Sequence, residues 1–175
     1  MFDLNSYFDL ITNTPILRGL TLVTLSIVAA KLVDMVFTFI FKRVVNKTKT
    51  TLDDRILQLL HKPIFYSILF VGFIVSTKTI ALPDYIEFFL IGFFKTITII
   101  IWLFVTSKIL VMSMDWASRQ TASNKVLQRN TLPLFNNLGK IAIGLFGAYF
   151  IFLSWNININ GILASAGVLG VVLGL

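Results

Sequence analysis

The chain has 175 residues, of which 57% are apolar and 13% charged, with a mean hydropathy of +0.87 and a formal net charge of +7. A soluble domain of ordinary composition carries about 25% charged residues, so a water-soluble fold is excluded as the first reading. With no cysteine, a single histidine (His61) and only 8 carboxylates, there is no disulfide framework, thiolate metal site or nucleophile–base pair; no enzyme, metal or cofactor is expected.

The apolar residues form runs long enough to cross a hydrocarbon layer about 30 Å thick, which takes roughly 20 residues of helix. Backbone polar groups in lipid must pair within the segment, and the period-2 alternation of a membrane barrel is missing. The fold class is therefore all-α and integral to a membrane, with about five spans. Residues 1–15 are an external, acidic N-terminal segment containing Asp3 and Asp9. The first span covers about 16–41. Lys31 and Asp34 lie inside it at i,i+3 and share one face, a candidate intramembrane ion pair; the plainer alternative is mutual neutralisation against a neighbouring helix or a position near the interface.

Residues 42–62 break the pattern with Lys42, Arg43, Lys47, Lys49, Arg55 and Lys62. Thr51-Leu52-Asp53-Asp54 resembles a helix-capping box. Leu52, Ile56, Leu59 and Leu60 then repeat at helical spacing, which predicts a short amphipathic helix at the membrane surface. Pro63 is expected to open the second span, 63–82, and Lys78 to snorkel near its far end. Pro83-Asp84 makes a tight turn into the third span, about 86–114, whose aromatic residues read as lipid contact and packing. Lys95 in this span has no partner legible from sequence. A second basic connector, 115–132, precedes the fourth span, 133–155. The Asn-rich turn at 156–160 leads into a last apolar segment, 161–175.

Lys and Arg number six in the 42–62 connector and three in 115–132, against none in 1–14, 83–85 and 156–160. By the positive-inside rule the basic connectors are cytoplasmic, the N-terminus is outside and the last helix runs inward. The basic residues are expected to meet lipid headgroups rather than nucleic acid.

On a helical wheel, Gly167, Gly170 and Gly174 of the last segment form one stripe, with Ala166 at its edge. Gly170 and Gly174 form GxxxG, the spacing that lets helix backbones approach closely. Ala164, Val168, Val171 and Leu175 form a smooth aliphatic flank beside it. Packed copies would turn that flank toward a narrow apolar hole, which can block ions by dewetting. An ordinary packing helix within one subunit is the competing reading.

Three stretches carry a resemblance: Thr48 through Leu57, Leu132 through Lys140 and, most specifically, Trp155 through Leu175 with its Leu163-Ala164-Ser165-Ala166-Gly167-Val168-Leu169-Gly170 core. In order and spacing they resemble the mechanosensitive channel of small conductance (MscS-like) family from about residue 42 onward. The resemblance implies a four-helix membrane paddle over 16–155 and the start of a pore-lining helix over 161–175. It also implies a heptameric homo-oligomer in the cell membrane, opened by tension to release ions and small osmolytes under hypo-osmotic stress. Gly170 and Gly174 match small residues between pore helices, and Leu175 matches the first of two gating leucines. The family's cytoplasmic β and α/β domains have no counterpart here, so the sequence is expected to be a fragment ending within the pore helix. A secondary transporter and a non-conducting assembly subunit are the alternatives.

Overall fold

A computed structural model describes residues 14–45, 51–120 and 125–174, with side chains over 14–39, 55–116 and 133–174. Five helices account for nearly all of it: α1 (Pro15–Val45), α2 (Thr51–Thr79), α3 (Asp84–Gln120), α4 (Lys125–Ser154) and α5 (Asn160–Gly174). No strand occurs among the described residues. The N-terminal segment, most basic side chains of the two connectors, the capping-box side chains and Leu175 lie outside what is described.

Four helices are long and apolar enough to cross a membrane, over Pro15–Phe39, Arg55–Thr79, Asp84–Trp116 and Pro133–Ser154. The chain is a multi-pass membrane protein by the length and composition of these helices. The described part of α5 is shorter. Its 15 residues reach about 22 Å, less than the hydrocarbon thickness, so four helices rather than five meet the length needed to span.

The helix ends are set locally. Pro15 occupies the first turn of α1, where its missing N–H costs nothing. At the α2–α3 turn, Ile86 and Glu87 donate their backbone N–H groups to the Pro83 carbonyl at 2.9 and 3.0 Å. Asp84 and Glu87 place negative charge at the positive end of the α3 dipole. Ala81 closes α2 in the left-handed region at φ 54°.

Two expected boundaries are corrected. The segment before Pro63 does not form a separate surface helix, because α2 runs unbroken from Thr51 through Pro63 to Thr79. Pro63 is fully buried, and the turn before it is held against α1 through His61, so tertiary contact fixes the amphipathic stretch in line with the span. Likewise α4 starts at Lys125 and passes through Pro133. Proline inside membrane helices is tolerated where neighbouring groups accommodate the freed carbonyl.

Among the described residues, helix–helix contact is made by α1 with α2, α2 with α3, and α3 with α4 alone. Gly19 meets Ile80 and Ser76 while Gly72 meets Ser26, so α1 and α2 run antiparallel. Gly139 against Leu110 and Gly147 against Leu103 show the same for α3 and α4. The result is a single row of four helices with no closed core.

Burial is inverted relative to a soluble protein. Ser26, Ala30, Ser76 and Thr77 are buried, while Leu20, Leu25, Phe104, Leu145 and Phe146 are exposed. Lipid tails are as apolar as leucine, so helices in a membrane gain little by hiding leucine and associate through small residues and interhelical hydrogen bonds. The buried Ser76 hydroxyl donates to the Gly19 carbonyl at 2.8 Å, and Trp102 Nε1 donates to Ser67 Oγ at 2.9 Å. Both bonds cross helix boundaries.

Candidate functional site

The terminal helix is joined to the row by a well-specified turn. Asn156 adopts φ 54°, Ile157 N–H donates to the Phe152 carbonyl at 2.9 Å and Asn156 N–H to that of Leu153 at 3.1 Å. These are the two bonds of a Schellman motif, with asparagine at the left-handed position in place of glycine. Asn158 Oδ1 then accepts the Asn160 N–H at 3.0 Å, satisfying one of the orphan donors that begin α5. The Asn-rich turn read from sequence is thus a stop signal followed by a start signal.

Trp155 anchors this turn to α3. Its Nε1–H donates to Thr96 Oγ1 at 2.9 Å, and its ring meets Phe88 and Phe89 edge-on at centroid separations of 5.9 and 5.8 Å. Gly92 makes room for it: a Cβ there would stand 3.2 Å from the indole carbons Cδ2 and Cε2. The sequence offered an aromatic surface on α3 but no sign that one tryptophan from the end of α4 would be seated in it.

Beyond the turn, α5 makes no packing contact with any other helix among the described residues, and none of its described residues is buried. Gly167, Gly170 and Gly174 have nothing within 4 Å of where a Cβ would stand. Ala164 and Ala166 are exposed, as are Val168, Val171, Val172 and Leu173. The Ser165 hydroxyl is returned to its own helix, on the Gly161 and Ile162 carbonyls. Among the described residues, therefore, nothing packs α5 against the rest of the chain. A helix apolar on every face needs lipid, partner helices or both around it.

The proposed Lys31–Asp34 pair is not formed. Asp34 instead meets His61 of α2, Oδ1 to Nε2 at 2.9 Å, while Lys31 is exposed. Thr38 donates to the Asp34 carbonyl at 2.8 Å, so its hydroxyl oxygen accepts from His61 Nε2 at 3.2 Å. That pattern assigns the proton to Nε2, shared between carboxylate and hydroxyl. The Phe37 ring closes the cluster edge-on to the imidazole at 6.0 Å. An imidazole on the facing helix reaches the carboxylate in a geometry that a flexible lysine on the same helix does not need to match. The three polar groups clip α1 to α2, with side-chain exposures of 39% for His61 and 32% for Asp34 that leave the pair reachable by water or headgroups.

Lys95 has a place that its sequence position did not reveal. It lines an open cavity of about 320 Å³ shared with Lys78, Asp84, Glu87 and Asn156. Two cations and two carboxylates balance there, beside the turn that launches α5. Near the other end of α4, the Asn136 Oδ1 is buried without a hydrogen-bond partner, next to Asp115 and Pro133 in a cavity of about 220 Å³. No group of three or more His, Cys, Asp or Glu suited to a metal ion occurs among the described residues.

No family model, no curated protein and no solved structure matches this chain, so its functional reading rests on its own residues and geometry.

Proposed function

We propose that the chain is the membrane portion of a homo-oligomeric, tension-gated ion channel, in which α5 from several copies surrounds a narrow apolar pore. The observation that carries this reading is the bareness of α5: an apolar helix with three glycines on one stripe, all without a neighbour among the described residues. Within the ring, the stripe of Gly167, Gly170 and Gly174, with Ala166, packs helix against helix. The flank of Ala164, Val168 and Val171, continued in sequence by Leu175, faces the axis. A passage so lined excludes water when narrow and admits ions when widened.

The single row of α1–α4 serves as the lipid-facing paddle, with its N-terminus outside and the basic connectors in the cytoplasm. Tension favours whichever state occupies more area in the membrane plane, because a force shifts an equilibrium only through a difference between its two states. Trp155, fixed on α3, passes paddle motion to the base of α5. Resemblance to MscS-like channels supports the same reading and adds the expectation of seven copies, ion and osmolyte release, and location in the cell membrane.

Reconstitution of the purified chain in liposomes, with patch recording under suction, tests the reading. Step currents whose open probability rises with suction are expected, and Val171→Ser should raise the leak at zero tension by wetting the closed pore. Assembly without current up to membrane rupture would replace the channel with a non-conducting scaffold. Substrate counterflow without a tension response would replace it with a transporter.

A further inference from the structure

A cavity of about 1030 Å³ forms a groove over α3, walled by α2 on one side and reached by Lys140 of α4 on the other. It exists because α2 and α4 do not touch, which leaves one face of α3 uncovered between them. Its basic end carries Arg55, Lys62, Lys108 and Lys140, and no acidic side chain among the described residues lines it. Leu59, Tyr66, Phe104 and Val111 supply much of its apolar surface.

The cations converge at one depth. Gly139 lies against Leu110, which sets Lys140 at the level of Lys108. Counting back along α2 from Ser67 and forward along α3 from Trp102, the two residues joined by a hydrogen bond, brings Lys62 to the level of Ser107 and Lys108. Arg55 lies about 10 Å nearer the start of α2, extending the same wall. Tyr66 and Phe104 lie toward the middle of the row. Along α3, Lys108 is about 36 Å from Asp84, so with Asp84 near one face of a 30 Å hydrocarbon layer the lysines stand near the other.

We propose that this groove is a binding site for an anionic glycerophospholipid. Its phosphate sits among Lys62, Lys108 and Lys140, and an acyl chain runs down over Phe104 and Tyr66. Charge and polarity both select this occupant. Three ammonium groups at one level repel one another unless an anion lies between them, and an ammonium is a capable phosphate binder. A soluble phosphate would satisfy the charges but leave the apolar floor to water. A zwitterionic lipid would cover the floor while bringing its own cation against the lysines. The arginine at the rim offers a planar fork to a second headgroup oxygen pair.

The test uses the full chain in neutral detergent, with native mass spectrometry of bound phosphatidylglycerol against phosphatidylcholine. At least a tenfold preference for phosphatidylglycerol is expected in the unaltered chain. Lys108→Gln combined with Lys140→Gln should reduce that preference about tenfold, while Lys31→Gln, on an exposed residue outside the groove, should leave it unchanged. Circular dichroism on the same samples separates loss of binding from loss of fold. A second double variant, Lys62→Gln with Lys108→Gln, stands in should the first lose helix. Equal binding of both lipids, or a preference untouched by both double variants, overturns the proposal. Displacement of the lipid by millimolar inorganic phosphate also overturns it, in favour of a soluble anion. The site lies within one chain, so failure of the channel reading leaves it standing and its own failure leaves the channel reading untouched.

Discussion

In the row of α1–α4, Gly19, Gly72, Gly92, Gly139 and Gly147 each lie against a side chain from a neighbouring element, whereas Gly167, Gly170 and Gly174 of α5 face open space. The same residue type thus does two things in one chain. In the row it converts two helices into one close pair, and the cost in helix propensity is offset by contact already made. In α5 the cost of about 1 kcal/mol per glycine relative to alanine has no compensating contact among the described residues. Gly144 shows that the difference is not simply one of region, since it belongs to α4 and also has nothing within 4 Å.

The comparison breaks first at Gly72. An alanine there would strike the Ser26 Cβ, with the Ser26 backbone close behind, and neither can swing away. Gly72→Ala should destabilise the α1–α2 pair by about 2 kcal/mol or more, in the range of overpacked cores, read as an earlier unfolding transition in denaturant titrations in micelles. Next comes Gly170→Ala, alone and with Gly174→Ala. The monomer should gain up to about 1 kcal/mol of helix stability per site, while association of copies weakens about tenfold, equivalent to about 1.4 kcal/mol. Cross-linking yield against protein-to-lipid ratio measures that loss, with Gly144→Ala as the control that should leave it unchanged. A Gly170→Ala protein that associates as well as the parent would put the α5 glycines in the same class as Gly144. The smallest effect is expected at the joint between the two regions. Trp155→Phe keeps a ring on Gly92 but removes the donor to Thr96, costing about 1 kcal/mol and loosening α5 relative to α3, as a spin-label distance between those helices would show.

The four long helices were legible because hydropathy integrates over many residues and tolerates local error. Their boundaries were less so. Pro63 and Pro133 read as starts because proline is common in the first turn of a helix in water. In this row the buried Pro63 and the His61 contact to α1 keep the helix continuous and make the preceding turns part of the span. Asp34 was matched to Lys31 because local spacing is all that a sequence displays. Its partner His61 lies one helix away, brought level by the close approach at Gly19 and Gly72. Lys95 and the groove of four cations needed the order of the row, since residues from α2, α3 and α4 contribute to them. The stripe on α5 was fully legible from its 3.6-residue period, and the structure added that nothing among the described residues covers it.

The seating of Trp155 on Gly92 has a mechanical corollary. It clamps one end of a rod whose described length is 15 residues, or about 22 Å. Swivelling that rod by about 10° at the clamp sweeps its free tip through roughly 4 Å. A displacement too slight to notice at the indole is thereby magnified at the far end, so the stiffness of a single ring against a bare backbone sets how faithfully the sweep follows its drive.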